Sequence, residues 1–264
     1  MPIPHALQTY FQLLAMRLRA ALGPNALGLY VYGSLTQDAF EARRSDLDCV
    51  GLLQRRLSAA QVRRLRAQLR ELARKDARTR RLQLTLLLKR ELFLANGDGW
   101  GYQFGRLERT GSDGNPIIWA NIRDTGLVVF GPEPAAFLPR LTRRLMQAAL
   151  VRELGYLREE LVSLTSSRWR GRQSYRRYAV LTICRILYTQ RTSRVVSKRR
   201  AAGWALHNLP PRHQGIVRLA TRRPVSVSGR HLPLHAIRGL LAYAAARLNP
   251  VDDRRGTSRR RYVK

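Results

Sequence analysis

Leu29-Tyr30-Val31-Tyr32-Gly33-Ser34, followed after a loop by Ser45-Asp46-Leu47-Asp48-Cys49-Val50-Gly51-Leu52-Leu53, decides how this chain is read. Each half is a short apolar run with a β-branched or aromatic bias, which predicts a buried strand. The first strand ends in Gly-Ser and the second opens on Asp-x-Asp. Carboxylates at i and i+2 of a strand point to the same face. A hard divalent cation such as Mg2+ takes oxygen ligands, commonly one or two carboxylates plus substrate phosphates. A Gly-Ser turn lets backbone N–H groups approach a polyphosphate closely. A lone Asp-x-Asp is usually surface decoration. Here small and acidic residues sit at the facing ends of two buried-type strands, which favours a site for metal-assisted nucleotidyl transfer.

Outward from this pair the pattern stays regular. Leu7, Phe11, Leu14, Leu18 and Leu22 predict a leading helix over residues 5–21. Ser58 with Gln61 has the spacing of a capping box, and Val62, Leu65, Leu69 and Leu72 form the apolar stripe of the helix it opens. Leu82 to Leu88 reads as a third strand. Gly97, Gly99, Gly101 and Gly105 make the next region loop-like. A helix over Ile117 to Asn121 and a strand over Gly126 to Phe130 close the first half at Gly131-Pro132-Glu133-Pro134. The rest reads helical: one or two helices over Leu138 to Leu164, then Tyr175 to Thr189, Ser197 to Leu206 and Leu232 to Leu248. The expected class is α+β, with an N-terminal domain of small mixed sheet and helices over 1–132. A C-terminal all-α bundle over 133–251 and a basic tail over 252–264, read as disordered, complete the expected layout.

Charge narrows the partners. The chain has 264 residues and a formal net charge of +32. Of its 49 basic residues only Lys75, Lys89, Lys198 and Lys264 are lysine; the others are arginine. A polyanionic partner would explain this, since arginine pairs bidentately with phosphate. A codon-level bias toward arginine would too, and the even spread of arginine favours that explanation. Either way nucleotides and, nonspecifically, RNA are attracted, while cationic molecules are repelled at long range. Cys49 and Cys184 lie in apolar segments and read as core residues. The five histidines (His5, His207, His213, His231 and His235) show no zinc spacing. No apolar run reaches membrane-spanning length and the N-terminus lacks signal-peptide polarity, so a cytoplasmic location is expected.

The same residues resemble a known family. Gly33-Ser34 with Ser45-Asp46-Leu47-Asp48 is similar to the nucleotidyltransferase superfamily motif. Tyr178-Ala179-Val180-Leu181-Thr182-Ile183-Cys184-Arg185-Ile186-Leu187-Tyr188-Thr189 resembles a helix of the aminoglycoside (3'')(9) adenylyltransferases. So does Val196-Ser197-Lys198-Arg199-Arg200-Ala201-Ala202-Gly203-Trp204-Ala205-Leu206, followed by Leu209-Pro210. Leu82 to Leu86 and Tyr102 to Gly105 resemble that family more weakly. The resemblance implies an enzyme that uses ATP as co-substrate and adenylylates a hydroxyl of a small molecule such as streptomycin or spectinomycin. It implies Mg2+ at Asp46 and Asp48, phosphates near Gly33 and Ser34, and a phosphate contact from Lys198.

The chain departs from that pattern twice. Where the family has a glutamate that takes the proton of the attacking hydroxyl, this chain has Gln83, a neutral amide. Loss of a general base costs about 10²–10⁴-fold in rate. Glu91, Asp98 and Glu108 are acids that could substitute. Second, the family binds polycations with acids of its helical domain, whereas Leu161 to Val251 contains no Asp or Glu and holds 17 arginines besides Lys198. The family's acidic positions appear here as Tyr175, Arg176 and Arg177; Glu153, Glu159 and Glu160 are the nearby acids. A neutral or anionic acceptor suits these charges better than a polycation. The alternative expectation is a catalytically impaired nucleotide- or RNA-binding descendant, in which Trp169 and Tyr175 among Arg168, Arg170, Arg172 and Arg176 would stack on bases. Packing of those aromatics inside the bundle is an equally good expectation.

Overall fold

The computed structural model describes residues 3–42, 45–93, 98–110, 115–138, 141–162, 173–222 and 232–248. The chain divides into two compact units, Met1–Leu145 with Val195–Ser197, and Met146–Arg194 with Lys198–Lys264.

The first unit opens with α1 (His5–Leu22), which buries Leu7, Tyr10, Phe11, Leu14 and Leu18 along one stripe. β1 (Ala26–Tyr32) and β2 (Leu47–Leu53) follow and pair antiparallel, with Tyr32 opposite Asp48. α2 (Ala59–Lys75) carries the expected capping box: Ser58 Oγ accepts from Gln61 N–H at 3.2 Å and Gln61 Oε1 accepts from Ser58 N–H at 3.2 Å. β3 (Leu82–Leu88) returns parallel to β2, with Asp48 paired to Gln83. A right-handed β-α-β crossover is the economical way to join parallel neighbours.

The glycine-rich stretch is not a loop. It forms β4 (Gly99–Gln103) and β5 (Arg106–Arg109), an antiparallel hairpin in which Gln103 pairs with Arg106. Phe104 (φ 52°) and Gly105 (φ 78°) both take the left-handed conformation that a two-residue hairpin turn requires. The glycines alternate with Trp100 and Tyr102, and that alternation is the strand signal; Gly97 lies outside the described residues. α3 (Pro116–Thr125) is capped by Asn115 and leads into β6 (Leu127–Phe130). Among the described residues the sheet has six strands in the order β5-β4-β3-β2-β1-β6.

The period-2 pleat sends alternate residues to separate cores. One face buries Leu29, Val31, Leu47, Cys49, Leu82, Leu84 and Leu86 under α1 and α2. The other buries Tyr30, Val50, Leu52 and Leu87 under Trp119 and Ile122 of α3. Trp119 Nε1 donates to the Leu92 carbonyl at 3.0 Å, which satisfies the indole where it is fully buried.

The second unit is helical. α4 (Arg143–Val162), which begins three residues before this unit, leads to α5 (Gln173–Thr192), α6 (Lys198–Asn208), α7 (Pro211–Thr221) and α8 (Leu234–Leu248). The expected span 138–164 is thus one helix within the described residues. α7 was not expected from the sequence. It buries His213, Ile216, Val217 and Ala220, and Pro211 occupies its first turn, where a missing N–H costs nothing. α5 buries Ala179, Val180, Ile183, Cys184, Ile186 and Leu187. Burial holds the Cys184 thiol up to about 12 and raises the Cys49 thiol well above its ordinary value, so both act as core residues. Among the described residues no helix is long and apolar enough to cross a membrane. The tail 252–264 lies outside the described residues.

Candidate active site

Alternation along β2 fixes the first element of the site. Leu47 and Cys49 point into the core under α1 and α2, so Asp48 points to the opposite face, beneath α3. Asp46 immediately precedes the strand and is exposed, and Asp48 is half-buried. Leu82 and Leu84 place Gln83 on that same face. Because Asp48 and Gln83 are paired positions of parallel neighbours, their Cα atoms stand about 4.8 Å apart. Thus four sequence-derived residues converge in the first unit: Gly33 and Ser34 at the end of β1, Asp48 at the start of β2 and Gln83 at the start of β3. Asp46 adjoins them by chain position.

Gly33 (φ 83°) lies against Asp48 so closely that a Cβ placed on it would stand 3.1 Å from Cγ and 3.3 Å from Cβ of Asp48, and would overlap its Oδ2. The turn after Gly33 closes on itself. Thr36 Oγ1 donates to the Gly33 carbonyl at 3.3 Å and Ala39 N–H donates to the Ser34 carbonyl at 3.0 Å. Gln37 Nε2 donates to the Val195 carbonyl at 3.3 Å, a contact inside the first unit.

Two residues absent from the sequence expectations hold this region. Asn121 of α3 accepts from Gly33 N–H at 3.1 Å through Oδ1. Arg81, just before β3, donates through Nη1 to the carbonyls of Ala42 and of Ser45, the latter at 3.1 Å, and so braces the segment that delivers Asp46. Neither has a sequence signal: Asn121 is 88 residues from Gly33, and Arg81 is one arginine among many.

The acids considered as substitutes for a base at Gln83 are placed elsewhere. Glu91 and Asp98 follow the far end of β3. Leu88 lies five residues beyond Gln83, about 16 Å along the strand. Asp98 is bridged to Arg56 at 3.1 Å and to Arg109 at 2.7 Å, and Glu91 accepts from Asp98 N–H at 2.8 Å. Glu108 pairs with Gly101 on β4, which pairs with Thr85, so it lies two strands from β3.

Lys198 belongs to the second unit, where it opens α6. Its Nζ stands 4.0 Å from the ring centroid of Tyr178. Burial raises the Tyr178 phenol above its ordinary value; Glu153 adds to this, while Arg185 and the Thr182 hydrogen bond oppose it. Tyr175 is buried and its ring lies 5.8 Å from that of Tyr178, which is the packing role and not a base-stacking one. Arg176 Nη1 donates to the Leu232 carbonyl at 2.9 Å, tying α5 to the start of α8. Residues 168–172, with Trp169, lie outside the described residues.

Among the described residues no cluster of three or more His, Cys, Asp or Glu is present. A protein-only metal cage is therefore not built from them. The two acids Asp46 and Asp48 do suit Mg2+, which completes its shell with water and phosphate oxygens.

Residues 137–244 match the family model for the aminoglycoside adenylyltransferase C-terminal domain. No curated protein matches the chain. Among solved structures it is similar to spectinomycin adenyltransferase AAD(9) from Enterococcus faecialis, crystallised with ATP and spectinomycin. The identity is 17%, the TM-score 0.69, and the match covers 91% of this chain and 98% of that one. At that identity the likeness establishes the fold, an α+β region followed by a helical one. The two findings together support the aminoglycoside adenylyltransferase-like family that the sequence resembles.

Proposed function

We propose that the protein is a nucleotidyltransferase that moves AMP from ATP to a hydroxyl of a small-molecule acceptor and releases pyrophosphate. The observation that carries this reading is the pairing of Asp48 on β2 with the tight Gly33-Ser34 turn, in a fold shared with an adenylyltransferase. Asp46 and Asp48 would hold Mg2+, which supplies charge neutralisation at the phosphates when bound. Ser34 N–H and its hydroxyl bind phosphate at the turn. Lys198 is given a phosphate contact by the family resemblance. Gln83, beside Asp48, orients the attacking hydroxyl through its amide but cannot carry away the proton. Catalysis of this kind rests mostly on positioning and electrostatics, so transfer proceeds without that base, only more slowly.

The solved neighbour binds ATP and spectinomycin. For this chain the acceptor is proposed to be neutral or anionic, because Leu161 to Val251 has no acid to match a polycation. The test is mass spectrometry for adenylylated products, with ATP, Mg2+ and a panel of aminoglycosides and metabolites, on wild type and on Asp46→Asn/Asp48→Asn. A product formed equally by both proteins would remove the metal-site assignment.

One observation favours a second reading. Gln83 stands where a carboxylate is expected, at the position paired with Asp48. A nucleotide-binding descendant without transfer activity would show Mg-ATP binding and no product with any acceptor.

A further inference from the structure

Asn121 occupies an unusual position for a helix residue. It lies between Trp119 and Ile122, which are fully buried against the sheet, and is itself only 4% exposed. Its Oδ1 accepts from Gly33 N–H at 3.1 Å. A backbone N–H can only donate, so the amide oxygen must face Gly33 and the amide NH2 must face away from it. This orientation is fixed by chemistry rather than chosen. Among the described residues Nδ2 meets no acceptor.

Gly33 N–H would ordinarily be the leading donor of a Gly-Ser phosphate cradle. Here it is consumed by Asn121. The amide thus takes one donor from the turn and returns two at Nδ2, beside the glycine that packs on Asp48. We infer that Asn121 is a nucleotide-binding residue whose Nδ2 donates to a phosphate oxygen. The assignment rests on the nucleotidyltransferase reading above and extends it to α3, which no motif marked. Ser34 N–H, Ser34 Oγ and Asn121 Nδ2 then form the donor set, and Gly33 N–H serves only to orient the amide.

Asn121→Asp separates this role from a structural one. Aspartate keeps an oxygen for Gly33 N–H, so the turn stays braced and the melting temperature stays close to that of wild type. The oxygen that replaces Nδ2 faces the phosphates with negative charge. By calorimetry, Mg-ATP and Mg-tripolyphosphate should bind at least about 10-fold more weakly to the variant, since a charge-assisted donor is exchanged for repulsion. Adenosine should bind both proteins alike. Equal Mg-ATP affinity in the two proteins would reduce Asn121 to a brace and overturn the inference while leaving the nucleotidyltransferase reading intact. Absence of Mg-ATP binding in wild type would remove that reading and the inference with it. Should the variant not fold, 15N-labelled wild type decides. The Asn121 side-chain amide resonance must move on addition of Mg-tripolyphosphate and stay in place with adenosine; no movement with tripolyphosphate overturns the inference.

Discussion

The Asp48 carboxylate fills the space that a side chain on Gly33 would need. Gly33 follows β1 directly, Asp48 lies at the start of β2 on the face covered by α3, and their contact couples the proposed phosphate turn to the proposed metal site. Gly33→Ala should therefore damage both at once. The left-handed φ costs an alanine about 1–2 kcal/mol, and the added methyl must displace Asp48. Urea titration should show a loss of at least that size, and calorimetry a weaker Mg-ATP complex. Unchanged affinity with lowered stability would show that Asp48 moves aside without consequence, which would weaken its assignment as a ligand.

Asp46→Asn/Asp48→Asn should lower ATP affinity in the presence of Mg2+ and abolish its dependence on Mg2+ concentration. Asparagine keeps the size of each side chain and removes the charge that a hard cation needs. Asp48 is only half-buried and Asp46 is exposed, so the fold should survive. Calorimetry with and without Mg2+ reads the coupling directly. A double variant that binds Mg-ATP as tightly as wild type would place the metal elsewhere.

Gln83→Glu should raise any adenylyl-transfer rate, by up to about 10²-fold. The new carboxylate would lie in the position paired with Asp48. That like charge raises its pKa and moves it toward a value useful for proton transfer. Glu91, Asp98 and Glu108 do not already fill the role, given their places at the far end of β3 and on the edge hairpin. Single-turnover kinetics on the variant would test this. An unchanged rate would mean that proton removal is not limiting.

These sites differ in how far the sequence announces them. Asp48 was legible because strand alternation assigns its face, Gln83 only through the family resemblance, and the capping box at Ser58 because it is local. The β4–β5 hairpin was hidden by its glycines: Gly99 and Gly101 pack no side chain of their own, so their alternation with Trp100 and Tyr102 reads first as loop. α7 was hidden because Arg212, Gln214, Gly215 and Arg218 leave its apolar stripe short, and its burial comes from tertiary packing. Asn121 was invisible for a different reason. Its role exists only where α3 crosses the end of β1, and nothing within α3 itself encodes that meeting.

A stability prediction rests on Asp76. Its carboxylate accepts from Arg78 at 2.6 and 2.8 Å through the guanidinium and at 2.9 Å through the backbone N–H, capping the turn before β3. These bonds, the guanidinium first, hold its pKa below the ordinary value although burial opposes them. A depressed carboxylate stabilises the fold above its unfolded pKa, near 4, and loses that contribution as pH falls through the folded value. Asp76→Asn should therefore cost about 1–2 kcal/mol at neutral pH. The gap to wild type should be flat from pH 7 down to about 5 and should close below about 4. A gap that persists at the acid end would mean that the amide disrupts packing, not charge.

The acceptor is where fold and charge disagree. The family resemblance points to an aminocyclitol drug, and the fold is that of a spectinomycin adenyltransferase. A fold does not carry specificity, which resides in individual side chains. A polycation entering a site must exchange its hydration for acids. The helical unit offers few. Leu161 to Val251 has none, and in α4 the charge of Glu153 helps raise the Tyr178 phenol. Glu159 and Glu160 are adjacent on the helix, so they diverge by about 100° and cannot serve one ligand. The positions matching the family's acids lie in the first turn of α5: Tyr175, which is buried on Tyr178, and Arg176, which is spent on the Leu232 carbonyl. Streptomycin should therefore bind weakly or not at all, while nucleotides bind with affinity that falls steeply as salt rises. Expression in a drug-sensitive bacterium is the decisive comparison. The expected result is no rise in streptomycin or spectinomycin resistance. A large rise, abolished by Asp46→Ala, would show that Glu153 and its neighbours suffice, and would return the family's own acceptor to this chain.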